Sequence, residues 1–450
     1  MKSKHLIAIF LFLLLASIGV VECKRHRHLF HSELVEFQGL VDCRKHTATL
    51  KDFGGIGDGK TSNTQVFKAA IANLSLLAAD GGAQLVIPPG KWVTGPFSLI
   101  SHFTLYIHKQ AVILGSQDES EWLLSKKRFS SSLIFGSNLT DVVITGGNGK
   151  IDGQGEMWWD KFRNKNSSSS SRPPYNLIEM IHTNHLLISN LTFLNSPSLN
   201  LHPLYSSNVI IQSLTIIAPT DAPNTDGIQS DSCTDVLIQD NYIVSGGDCV
   251  SVKSGWLPSE HIIIRKLTCI SPTSSVIGLG SEISGLVHDV RAEDIIAFDT
   301  KSAVRIQTGF GGYVKDIFVR RMSLHKTNYV FLMTGNSGFN NDPKPKKFPS
   351  IRGISFADVL ADNVSMVADF HGLKGDTLSG ICISDVNIVL ANKYKKVQWN
   401  CSNVEGVTRN VNPKPCRPLA SKGPIICPFP NEALSIEGVQ LKMCSVKVKT

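Results

Sequence analysis

"LLISNLTF" occupies residues 186–193, and "VIIQSLTI" follows at 209–216. Both place apolar side chains at offsets 0, 2, 5 and 7: Leu186, Ile188, Leu191 and Phe193, then Val209, Ile211, Leu214 and Ile216. Offsets 0 and 2 share one face of a strand, as do 5 and 7, because successive side chains alternate. The odd step from 2 to 5 reverses the face unless the chain bends there. Each unit therefore reads as two short strands meeting at a corner, with both apolar faces pointing inwards. One such unit cannot bury its apolar face alone, but a stack of them can.

The pattern recurs at Val236, Ile238, Asn241 and Ile243, with a polar residue at offset 5, and then at Ile262, Ile264, Leu267 and Cys269. It returns at Val290, Ala292, Ile295 and Ala297 and at Ile317, Val319, Met322 and Leu324, with further copies from Ile354 and Ile381. From Leu186 to Ile317 the starts step by roughly 23–28 residues, within the range of solenoid repeats. A third strand in each coil is visible in "DGIQS" (226–230), "CVSVKS" (249–254), "SVIGLGS" (275–281) and "AVRIQT" (303–308), with Ile228, Val250, Ile277 and Ile306 as its inward residues. The expected fold is all-β: a right-handed parallel β-helix, with a short capping helix at its N-terminal end. A β-sandwich would need hairpin turn signals every 8–12 residues or so, and the chain lacks them. The outward face of the third strands would form a flat parallel sheet suited to an extended polymer.

The flanks fit this plan. "TSNTQVFKAAIANLSLLAAD" (61–80) reads as a polar-capped helix that covers the open end of the stack. "GGIGDGKT" (54–61) matches a phosphate-loop pattern, but no doubly wound sheet follows, so its glycines read as a turn before that helix. "NKNSSSSSRPP" (164–174) reads as a surface loop. Lys2 and Lys4 precede an apolar run from Leu6 to Leu15 that is short for a membrane span, the pattern of a cleaved secretory signal. The expected organisation is a signal peptide over 1–23, an N-terminal segment over 24–48, the β-helix over 49–430 and a tail over 431–450, with the Pro-, Cys- and Lys-rich chain after about residue 400 packed on the outside.

An extracellular destination suits ten cysteines without CxxC spacing, which points to disulfides rather than zinc. Cys233 with Cys249, and Cys401 with Cys416, are candidate local bridges. Six Asn-x-Ser/Thr sequons, at Asn73, Asn138, Asn166, Asn190, Asn363 and Asn400, suit a secreted glycoprotein. A net charge of +8 favours polyanionic partners such as acidic polysaccharides. No nucleic-acid-binding motif is present. Self-sufficient solenoids of this kind lead us to expect a monomer, with no membrane span after signal cleavage.

Two carboxylates stand out. Asp226 in "NTDG" and Asp248 in "GGDC" lie about one coil apart, so stacking would bring them to the same side of adjacent coils. Arg305 follows about two coils later, near the same outward face. "NTDG" is also a common turn signal, and a turn aspartate is the plainer reading of Asp226.

At these residues the chain resembles plant polygalacturonases and their relatives, glycoside hydrolase family 28. The resemblance runs from about Cys43 onward. It rests on "DFGGIGDGKTSNTQVFKAAI", "IDGQGEMWWDKF", "NTDGIQSDSC", "SGGDCVSVKSG", "GLGSEISG" and "VRIQTGFGGYVKDIFVRRM". It implies a secreted β-helix that hydrolyses α-1,4 bonds between galacturonic acid units with inversion, acting on pectin without a metal or organic cofactor. It also implies that Asp226 and Asp248 serve the attacking water, and that Arg305 and Gln307 stand where substrate carboxylate is bound.

The chain departs from the family pattern at four places. Gly247 stands where the resemblance implies the acid aspartate, Gln229 replaces a further aspartate, Ser275 lies near the place of a histidine, and Gln307 replaces a lysine. A glycine has no proton to give. Asp231 and Glu282 are the nearby carboxyls that would have to substitute. Two readings follow: a weak or altered pectin hydrolase, or a wall protein that binds pectin without cutting it. A pectate lyase shares the fold but fits the motifs less well.

Overall fold

A computed structural model describes residues 44–123, 132–164, 175–281, 285–309, 311–335, 349–391, 397–419 and 425–439. The expected signal peptide, Cys43, Asn166, Glu282 and most of the serine-rich stretch lie outside the described residues, as does the tail beyond residue 439. The strands pair in parallel into the expected right-handed β-helix. Strand pairing among the described residues begins with His46–Thr49, which pairs with Ala83–Ile87.

The offset pattern governs the stack. The offset-0 residues form one column in register: Val142, Leu186, Val209, Val236, Ile262, Val290, Ile317, Ile354 and Ile381. All are essentially inaccessible to solvent and belong to one continuous core. Each buried Val, Leu or Ile contributes about 1.5–3 kcal/mol, and every coil supplies several. The polar exception, Asn241, is also buried. It is satisfied by the preceding coil, accepting from Leu214 N at 2.9 Å and donating to Ile211 O at 3.3 Å.

The bend between offsets 2 and 5 is one left-handed residue at offset 4. Asn190, Ser213, Asp240, Lys266, Asp294, Arg321, Asp358 and Asp385 all have φ between 54° and 58° except Lys266, at 52°. Asn and Asp tolerate this conformation, whereas Lys and Arg adopt it only where the surrounding structure imposes it. The stacking thus overrides local preference at Lys266 and Arg321.

The third strands stack as a separate sheet. Leu201, Ile228, Val250, Ile277 and Val304 pair in succession with their side chains inward. Ile306 is also inward, but it pairs with Leu279; Val304 is the residue in line with Ile277.

Helix α1 (Thr64–Ser75) caps the N-terminal end. Phe67, Ala70, Ile71 and Leu74 are buried, and Phe67 stacks on Phe97 at 4.5 Å. The helix is shorter than the expected 61–80. Ser62 pairs as strand with Val93, and Asn63 folds back on the preceding turn through Ile56 N at 2.8 Å. At the other end Gly81 and Gly82 take φ of 78° and 79°, ending the segment in a turn. The phosphate-loop look-alike turns at Gly54, with φ of 82°, and then enters a short strand, Asp58–Ser62, rather than remaining a turn up to the helix; Asp58 Oδ1 accepts there from the backbone of Lys60 and Thr61, each at 2.8 Å. Near the C-terminus a short turn, Ser435–Gly438, lays Ile436 on the outward face of the offset-0 strands, against Leu187, Ile210, Leu237 and Ile263.

One disulfide candidate is corrected. Cys249 bonds Cys269, two residues that are both buried, and Cys233 is a free buried thiol. Bracketing fails here because Cys249 meets Cys269 inside the core, while Cys233 Sγ lies against Pro203 O at 3.4 Å. Burial pushes the Cys233 thiol up to about 12, which keeps it protonated and unreactive. Cys401 bonds Cys416, and Cys382 bonds Cys427, tying the C-terminal segment to the wall. Removing the Cys249 link with Cys269→Ser should cost about 2–4 kcal/mol. A thermal melt beside wild type checks it, and an unchanged midpoint would mean the link is absent.

Candidate functional site

The third sheet carries the site on its outward face. Gln229, Ser251, Gly278 and Arg305 are successive partners in one row across four coils. Two positions ahead of Ile228 and Val250, which pair, stand Asp226 and Asp248. Gly227 N donates to Asp248 O at 2.9 Å, so the backbone locks the two aspartates onto adjacent coils. The sequence expectation of two neighbouring carboxyls on one side of the stack is what the register produces.

Their surroundings differ. Asp248 is 2% exposed. Its Oδ2 accepts from Arg305 Nη2 at 2.6 Å, and its Oδ1 accepts from Ser275 N at 2.9 Å and from the Ser274 hydroxyl. Asp226 is partly exposed and has one weak side-chain partner, Ser251 Oγ, at 3.3 Å. Burial, and then the charge of Asp248, push the Asp226 carboxyl up to about 6, against the opposing pull of Lys253 and Arg305.

Two glycines shape this arrangement. A Cβ on Gly247 would lie 1.9 Å from Asp226 Oδ1 and 2.8 Å from Asp226 N. The Asp226 carboxyl therefore occupies the space of the missing side chain. A Cβ on Gly278 would lie 2.2 Å from Asp248 Oδ2 and 3.1 Å from Arg305 Nη2. Arg305 is two coils from Asp248 and reaches it by passing over Gly278, which a larger residue would block.

The remaining sequence candidates take lesser positions. Ser275 is buried and meets Asp248 through its backbone N–H, while its hydroxyl accepts from Ser302 Oγ at 2.9 Å. Gln229 turns the other way along the row: its Nε2 is 3.3 Å from His202 Nε2, and His202 Nδ1 is 3.0 Å from Glu179 Oε1. Position 229 thus brings no third acidic group to the pair. Gln307 is half-buried, in line with Gly280 and Lys253. Asp231 pairs with Lys253 in the register and accepts from Ser232 Oγ at 2.9 Å. Among the described residues no cluster of three or more His, Cys, Asp or Glu side chains suits a metal.

The family model "Glycosyl hydrolases family 28" matches residues 83–414, a span that contains the whole of this row. The chain belongs to glycosyl hydrolase family 28. It is 50% identical to a probable polygalacturonase of Vitis vinifera, over 96% of this chain and 92% of that protein. It is 27% identical to a polygalacturonase of Persea americana, over 80% of this chain and 78% of that one. Among solved structures it is similar to a hyperthermoactive exopolygalacturonase of Thermotoga maritima, with 26% identity and a TM-score of 0.67, covering 82% of this chain and 93% of that one. Family membership classes the protein as a glycosidase.

Sequence reasoning missed Ser251, Ser274 and Gly278. Ser251 and Gly278 were findable, since each alternates outward between apolar neighbours in its third strand. Ser274 gave no signal, because it sits in the strand Ser259–Ser281 at an irregularity in pairing between Ser271 and Ser275.

Gly247→Ala should lower stability by about 1–3 kcal/mol, the usual cost of overpacking, read as a lower melting temperature. Asp226 gives a pH signature. Its folded pKa lies above the usual 3.8, so its neutral form favours the folded state at low pH, and that contribution is lost as pH rises through about 6. Asp226→Asn should therefore gain stability over wild type between pH 4 and 7, by at most ~3 kcal/mol given its partial exposure. Parallel melting curves across that range would refute the shift.

Proposed function

We propose that the protein is a secreted hydrolase of α-1,4-galacturonosyl bonds in pectin, weak or altered in substrate, with Asp226 and Asp248 as its working carboxyls. The observation that carries this is the pairing of two aspartates on adjacent coils, one bonded by Arg305 and the other left with a weak hydroxyl partner. Glycoside hydrolysis needs two carboxyl groups in different protonation states. The relatives named as polygalacturonases support pectin as the substrate class. The net charge of +8 favours a polyanionic chain along the outward sheet. The signal-like N-terminus supports an extracellular location.

Weak or altered activity follows from position 247. No side chain there can donate a proton, and Gln307 offers no cation to a substrate carboxylate. A second reading, pectin binding without cleavage, has one observation in its favour. Asp248 is nearly buried and already bonded to Arg305, which limits its access to an attacking water.

Purified protein incubated with polygalacturonate separates the two. The hydrolase reading expects new reducing ends, falling by about 10²–10⁴-fold in Asp248→Asn. Release equal to that of Asp248→Asn, together with retention of the wild type on a polygalacturonate affinity gel, would replace hydrolysis with binding.

A further inference from the structure

The two carboxyls are not equivalent, and the difference assigns them roles. Asp248 is bonded as an anion, to a guanidinium, a backbone N–H and a hydroxyl. Among the described residues no cation is bonded to the Asp226 carboxyl, which meets Ser251 Oγ at 3.3 Å. Its Oδ1 lies in the notch left by Gly247, 1.9 Å from where a Cβ would be. A carboxyl group beside an anion, with no cation bonded to it, is stabilised as the neutral acid, and a neutral acid is what a leaving oxygen requires.

We infer that Asp226 is the proton donor of this site, that Asp248 is its carboxylate, and that Gly247 is the residue whose absent side chain lets Asp226 take the donor position. The assignment rests on the hydrolase reading above, and it reverses what the family resemblance implies for Asp226. The step balances. The Asp226 O–H proton passes to the glycosidic oxygen as the bond from the anomeric carbon to that oxygen breaks, and the bonding pair stays on the oxygen. Water adds to the anomeric carbon and gives its proton to Asp248 Oδ2, which has a lone pair beyond the one bonded to Arg305. Exchange with solvent then removes the proton from Asp248 and returns one to Asp226, so that both regain their starting forms.

The groups facing Asp226 are Asp248, Lys253, Arg305 and the Ser251 hydroxyl. Asp248 and burial favour the protonated form; Lys253, Arg305 and Ser251 oppose it. Activity on polygalacturonate should accordingly fall as pH rises through about 6, as the donor loses its proton.

Leaving-group dependence tests the assignment. An oligogalacturonate needs its leaving oxygen protonated, whereas a 2,4-dinitrophenyl galacturonide does not. Asp226→Asn should lose about 10²–10⁴-fold on polygalacturonate and less than ~10-fold on the dinitrophenyl substrate, with the fall above pH 6 absent on the latter. Asp248→Asn should lose on both. Gly247→Ala, which forces the Asp226 carboxyl out of the notch, should show the Asp226→Asn selectivity while keeping both carboxyls. Circular dichroism and melting of each variant separate misfolding from chemistry. Equal losses by Asp226→Asn on both substrates would overturn the donor role while leaving the hydrolase standing. No turnover of either substrate by the wild type would overturn both.

Discussion

The register between coils is the constraint from which the rest follows. Each coil must bury the same offsets as the coil beneath it, because a shift of one residue would turn every inward side chain to solvent. The column from Val142 to Ile381 keeps that register through coils of unequal length. Length differences are therefore confined to the turns, while the strands repeat. A residue two positions ahead of an inward side chain in one coil then lies beside its equivalent in the next. Asp226 and Asp248 are brought together in this way, with no contact of their own needed to hold them there.

This explains which features could be read in advance. The apolar offsets carry the burial energy, so they are written plainly in the sequence, and with them the coil, its period and the adjacency of the two aspartates. The corner was legible as a bend but not in its conformation. Asn190 and Asp240 suit a left-handed residue, yet Lys266 and Arg321 occupy the same place without any local preference for it. The Cys249–Cys269 bond was not legible, because it joins two walls of the solenoid interior and leaves Cys233, the nearer cysteine on the N-terminal side, unpaired. Within the site, residue identities were legible and directions were not. Gln229 could be read as a lost carboxylate, but its turn towards His202 depends on the buried Glu179 behind that ring.

The glycines around the pair have an active part in the electrostatics. Gly278 leaves the gap through which Arg305 reaches across a coil to Asp248, and Gly247 leaves the notch that Asp226 enters. Two carboxyls at such a site cannot both ionise cheaply, so any difference in their partners is amplified into a difference in proton affinity. Arg305 supplies that difference by choosing Asp248. In the assignment proposed above, the backbone, through two missing side chains, makes Asp226 the proton holder.

A solenoid also separates what keeps the fold from what performs chemistry. Stability resides in the inward columns, while the site lies on the outward positions of one sheet and the turns before it. Substitution at 229 or 307, or loss of a side chain at 247, leaves the core column unchanged, since none of these residues belongs to it. The inward pattern can therefore keep a chain within the family while its outward row changes in chemistry. For this chain the buried apolar columns keep the fold, while the reaction proposed above rests on Asp226, Asp248, Arg305 and the two glycines that set their positions.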